Sequence, residues 1–220
     1  MLAGEEIMPA NRFELLATWY LRFNGYFTTP DFTVHPNFRK QAGGTDADIL
    51  AVRFPFSEEY QRRFNFVRDP ALIRPDRTDF LICEVKAGRC NINPQTWSHP
   101  ARENVEYAIR WMGFESDPDR IKAFAKDVYG KGECDLPDER MCVRFVCFGS
   151  EGNTELKAMF PCVHEVYHLR VIGYLRERFS TECYQIKRDN WDKDIIDFAE
   201  LVRVWSDDEL IDWAKQGGGQ

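Results

Sequence analysis

The chain has 220 residues, of which 44% are hydrophobic, 14% aromatic and 30% charged, which excludes a disordered chain and a minimal scaffold that needs staples to fold. Against 36 acidic residues stand 29 basic ones; the net charge of −7 excludes a general polyanion binder but leaves room for nucleic-acid binding through a local basic surface. No run of about 18 apolar residues occurs, and the first six residues carry neither the basic nor the apolar region of a signal peptide, so no membrane association and a cytoplasmic location are expected.

The predicted elements follow in chain order. Residues 12–24 repeat at helical spacing, with Phe13, Leu16, Ala17, Tyr20 and Leu21 on one stripe, Asn11 as N-cap and Gly25 as the stop. Glu14 lies at the border of that stripe, where a first-turn carboxylate also suits the helix dipole. Residues 26–35 read as extended. Residues 47–54 and 79–86 are short apolar runs of the kind that form strands buried on both faces.

Between those strands, residues 55–78 form an insertion with Arg62, Arg63, Arg68, Arg74 and Arg77 among Phe64 and Phe66. Aromatics between arginines suit a nucleic-acid surface; the alternative is a partly packed, solvated segment. Helices are expected over 100–113, 117–129 and 163–179, with one or two more in 191–215, and a strand over 141–148. Trp191, Trp205 and Trp213 are expected to pack these last helices onto the sheet. Helices before, between and after strands predict an α/β layered domain, a single unit over 1–216 with a core at about 12–150 and a C-terminal helical part at 163–216.

Seven cysteines, an odd number with no CxxC pair, argue against a disulfide framework or a structural zinc. Cys83, Cys142 and Cys147 sit in apolar runs and read as small core residues.

The chemistry concentrates on the two buried strands. Glu84 and Lys86 are two apart, so a strand points both to the same face. An acid and a base on an otherwise apolar strand cost several kcal/mol unless paired or metal-bound. Asp48, with Asp46 as the alternative, and Glu84 supply hard oxygen ligands that suit Mg²⁺ or Mn²⁺, and the Val85 carbonyl could complete the set.

The order Glu14, then Gly44-Thr45-Asp46-Ala47-Asp48-Ile49-Leu50-Ala51-Val52, then Cys83-Glu84-Val85-Lys86 resembles the PD-(D/E)XK nuclease superfamily. The resemblance implies a restriction endonuclease-like core, a central mixed sheet flanked by helices, with a C-terminal helical extension. It also implies Mg²⁺-dependent hydrolysis of phosphodiester bonds, DNA more than RNA, with Mn²⁺ able to substitute. By match to the motif, Asp48 is the first acid, Glu84 the second, Lys86 the lysine and Glu14 the helix-borne glutamate. A homodimer, or a partner that supplies targeting, would fit the cutting of both strands of a duplex.

Lys40 and Arg89 flank this site and, with Arg62 and Arg63, are the candidate phosphate contacts. Asn91, Asn93, Gln95 and Trp97 follow the second strand; a turn built on Asn and Pro94 is the reading set against a role at the water or phosphate. His164-Glu165-Val166-Tyr167-His168 matches the metalloprotease pattern, which needs both histidines on one helix face and a third ligand that the downstream sequence does not offer. A zinc peptidase and a non-catalytic interaction module are therefore the rival expectations. No phosphate-binding GK[ST] loop, G-x-S-x-G elbow or G-x-G-x-x-G stretch occurs.

Overall fold

The computed structural model describes residues 12–34, 45–55, 67–180 and 193–216, and the described elements are labelled here in chain order. The first apolar stripe forms helix α1 (Arg12–Phe23), which ends before Gly25 at a positive φ that only glycine adopts freely. Thr18, Trp19 and Phe23 are buried together with the predicted stripe. The reason is tertiary: C-terminal helices cover the side of α1 that faces away from the sheet.

Three strands follow, β1 (Phe27–Val34), β2 (Thr45–Arg53) and β3 (Thr78–Val85), paired antiparallel in sequence order. β5 (Met141–Gly149) lies parallel to β3. Its other edge is shared: β4 (Glu133–Leu136) pairs antiparallel with the first half of β5, and β6 (His164–Tyr167) pairs parallel with the second half. The result is a six-stranded mixed sheet flanked by helices.

Alternation along β3 divides the core into two layers. Leu81, Cys83 and Val85 face α1, α6 (His168–Phe179), α7 (Lys193–Leu201) and α8 (Asp207–Gln216). Phe80 and Ile82 face the layer of α2 (Pro94–Trp97), α3 (Asn104–Trp111), α4 (Pro118–Lys131) and α5 (Thr154–Met159). By the same parity Glu84 belongs to the second layer. Both faces of the sheet are covered, which is why its central strands read as continuous apolar runs.

Two predicted helices are corrected. Residues 100–113 split into a 3₁₀ turn, Pro100–Arg102, and α3, because Glu103 takes a left-handed conformation between them. Residues 163–179 split into β6 and α6, so the C-terminal part opens with a strand. Its free edge partner, the second half of β5, overrides the helical spacing there.

The described end of the insertion, residues 67–77, is packed rather than free. Leu72 is buried in the core. Asp69 receives hydrogen bonds from Tyr20 and Arg170 and donates its amide to Asn24. Arg68 is buried, Arg74 pairs with Glu133 and Arg77 with Asp135, so these three arginines serve the fold.

Candidate active site

The site begins where a ladder opens. β2 and β3 pair from Arg53–Asp79 to Ile49–Cys83, and one step further the strands part. There the Asp48 carboxylate replaces a main-chain carbonyl: its Oδ2 accepts the Val85 amide at 2.6 Å. A strand residue that bonds the neighbouring backbone in this way has its side chain fixed by the sheet itself.

Glu84, 3% exposed, lies between two donors. Trp97 Nε1 donates to its Oε1 at 2.7 Å, and Lys86 Nζ approaches its Oε2 at 2.6 Å. The same Nζ lies 3.3 Å from Asp48 Oδ2. Asp48, Glu84 and Lys86, drawn from two strands, thus meet at one ammonium group, and the Glu84–Lys86 contact has the same-face geometry their spacing requires. Asp46 is exposed, and Asp48 is the carboxylate that reaches Lys86.

Lys86 is held at both ends of its peptide unit. Its amide donates to the Phe148 carbonyl at 3.0 Å, and its carbonyl accepts from His168 Nε2 at 2.8 Å. His168 stacks on Phe13 of α1 at 4.0 Å between ring centroids. Burial lowers the pKa of His168, which keeps the ring neutral and leaves Nε2–H as the donor to the carbonyl.

The loop between Lys86 and α2 is pinned to the end of β5. The Cys90 amide donates to the Glu151 carbonyl, and Asn153, the N-cap of α5, donates its side-chain amide to the Cys90 carbonyl. Gly149 makes this approach possible: a Cβ there would lie 2.6 Å from the Cys90 nitrogen. Asn93 caps α2, with its side chain accepting from the Gln95 amide, so the Asn-Pro turn reading holds for it. That cap starts the single turn that carries Trp97 over Glu84.

Two carboxylates and one ammonium leave the cluster one negative charge in excess. Burial, and then the Asp48 charge, raise the Glu84 pKa against the opposing pull of Lys86 and Trp97. Burial works to lower Lys86, but the charges of Glu84 and Asp48 outweigh it and raise the ammonium's pKa. Such a group donates hydrogen bonds and stabilises negative charge; it is not poised to take up a proton.

The remaining predicted site residues fall as follows. Val85 contributes its amide to Asp48, while its side chain packs in the α1 layer. Glu14 is half-buried in the first turn of α1, next to Phe13. Among the described residues, no group of three or more His, Cys, Asp or Glu side chains is gathered so that it could hold a metal, so Glu14 is not joined to Asp48 and Glu84 in that way. Arg89 is exposed after β3. Lys40, Arg62 and Arg63 lie outside the described residues.

The metalloprotease pattern is overturned as geometry. His164 begins β6 and His168 begins α6, so the two do not share a helix face. Glu165 accepts the Asn153 amide at 2.8 Å, and His168 serves Lys86. The roles of Trp97 and His168 escape sequence reasoning. A tryptophan in a polar turn was the one signal for the first; the second depends on which strand end the histidine meets.

Compared with models of protein families, with curated proteins and with solved structures, the chain matches none.

Proposed function

We propose that this protein is a metal-dependent nuclease that hydrolyses phosphodiester bonds of nucleic acid, DNA more readily than RNA. The observation that carries this reading is the meeting of Asp48 and Glu84 at the Lys86 ammonium, at a point where two central strands part. The order α1, antiparallel β1–β3, intervening helices and then β5 parallel to β3 supports a restriction endonuclease-like core for this sheet.

The donor set suits a hard divalent cation: two carboxylates, one of them almost fully buried, with an uncompensated negative charge between them. Asp48 and Glu84 would hold Mg²⁺ or Mn²⁺, with the Val85 carbonyl completing the set. When bound, such an ion polarises a phosphoryl oxygen and lowers the pKa of a bound water. The chain's own part is positional and electrostatic. The Val85 amide fixes Asp48, Trp97 orients Glu84, and His168 holds the backbone from which Lys86 extends. The Lys86 ammonium orients the attacking water and stabilises the negative charge that develops on the phosphate. A second copy would bring a second such site to a duplex, and a partner protein would supply targeting.

The second reading, a non-catalytic module on the same sheet, draws on one observation: Lys86 contacts both carboxylates and closes the cluster with an internal cation. Cleavage of a panel of linear, nicked, branched and single-stranded DNA and of RNA, with Mg²⁺ or Mn²⁺, separates the two. The nuclease reading expects metal-dependent cleavage of at least one DNA form. Intact substrates in both metals, from folded protein, leave the non-catalytic module.

A further inference from the structure

On the layer that covers Glu84, helix α3 and the Glu103 that precedes it carry a partly open aromatic surface. Glu103, Tyr107, Arg110 and Trp111 follow at helical spacing and line a cavity of 320 Å³. Ligand pockets start at about 300 Å³, so this one has room for a single ring system. Trp111 is 51% exposed. Its inner side is braced, with the Phe32 ring 4.5 Å away and Phe32 itself stacked at 5.9 Å on Tyr107. Part of a large aromatic side chain is thus open to water while it is braced from behind by neighbouring rings.

The polar groups at the cavity narrow what would cover it. Arg110 Nε donates to the Glu106 carbonyl at 3.3 Å, which folds its side chain back along the helix, and it lines the same cavity as Trp111. Glu103 stands at the other end of the stripe, on a left-handed backbone that a bond from its amide to the Pro100 carbonyl holds in place. One cation and one carboxylate make a poor phosphate cradle. They suit a flat heterocycle that stacks on Trp111, donates N–H to Glu103 and has its phosphate near Arg110. Position points the same way. Phe32 pairs with Ala47, the residue before Asp48, and packs in the same core layer as Trp97, which binds Glu84.

We propose that the Trp111 cavity is a stacking subsite for an unpaired nucleobase, so that the substrate presents single-stranded nucleotides on this face of the sheet. The inference rests on the nuclease reading for its biological sense, but stacking needs no metal and no cleavage. Bases inside a duplex stack on one another and offer no ring face, so the subsite discriminates against continuous duplex. For a chain with net charge −7 it also supplies affinity that does not depend on charge.

The test is binding in EDTA of a fluorescein-labelled 12-nucleotide single strand and of the blunt duplex of the same sequence. Wild type, Trp111→Ala and Trp111→Phe are compared after their circular dichroism is matched. Wild type is expected to bind the single strand more tightly than the duplex. Trp111→Ala is expected to weaken single-strand binding by about 5- to 150-fold and to leave duplex binding unchanged. Trp111→Phe is expected to retain most of the affinity but lose the change in tryptophan emission seen on titrating wild type with unlabelled strand, a result that stands even if the alanine variant does not fold. Equal affinity for single strand and duplex, no binding of either, or an emission change that survives in Trp111→Phe overturns the subsite. The nuclease reading is judged separately, by metal-dependent cleavage.

Discussion

Glu84 shows how much one side chain depends on neighbours that the sequence does not place beside it. Its contact with Lys86 follows from a spacing of two on a strand and could be read in advance. Its contact with Trp97 could not: it needs the loop from Lys86 to be tied to the end of β5 through Cys90, Gly149 and Asn153. The same holds for the Asp48–Val85 bond, which depends on where the β2–β3 ladder parts. Trp97→Phe keeps the ring packing against Phe145 but removes the N–H that Glu84 accepts. A hydrogen bond to a charged group contributes about 1.5–3 kcal/mol, so the variant is expected to fold and, if that whole contribution is made in the transition state, to lose roughly 10- to 150-fold in cleavage rate. A thermal melt beside a single-turnover rate checks both halves.

At the scale of elements, the long apolar runs that became β2, β3 and β5 were legible because a strand covered on both faces has no polar side to disguise it. The short elements were not. β4, α2 and α5 span only four to six residues, too few to show a period, and are fixed by a short pairing with β5 and by the Asn93 and Asn153 caps, and the His164–Tyr167 stretch yields its helical spacing to a place beside β5. That placement has a measurable consequence. Burial, then the Arg144 and Arg74 charges, lower His164 to about 4. A histidine depressed on folding contributes stability that is complete above its unfolded pKa near 6.5 and is lost as pH falls from there towards 4. Between about pH 7.5 and 5 this residue alone is expected to remove about 2 kcal/mol. Urea unfolding of wild type and His164→Gln at the two pH values checks it: the variant should lose less stability on acidification by about that amount.

Over the whole molecule, the two helix layers bury both faces of one mixed sheet, and this division was foreseeable from the order of helices and strands. The polar interior was not. Asp79 and Arg144, on adjacent parallel strands and fully buried, form a bidentate ion pair that Tyr26 joins at 2.5 Å from Asp79 and to which the Leu72 carbonyl adds an acceptor for Arg144. It ties the turn before β1, the insertion, β3 and β5 together at the end of β3 remote from Glu84. Burial works to lower the Arg144 pKa, yet Asp79 outweighs it and keeps the guanidinium charged. Breaking such a pair from one side leaves a buried charge and costs about 3–5 kcal/mol. Asp79→Asn is expected to lower stability by that amount, read from the urea midpoint, and to do so without touching the cluster of Asp48, Glu84 and Lys86.

That cluster carries the functional account, and Lys86 is the member whose loss leaves both carboxylates in place. Single-turnover cleavage of DNA in Mg²⁺ by wild type and Lys86→Ala, at equal concentrations of folded protein, therefore tests it most directly. The account predicts metal-dependent product from wild type and none above background from the variant, read at a temperature where both are folded. Equal cleavage by the two proteins would contradict it.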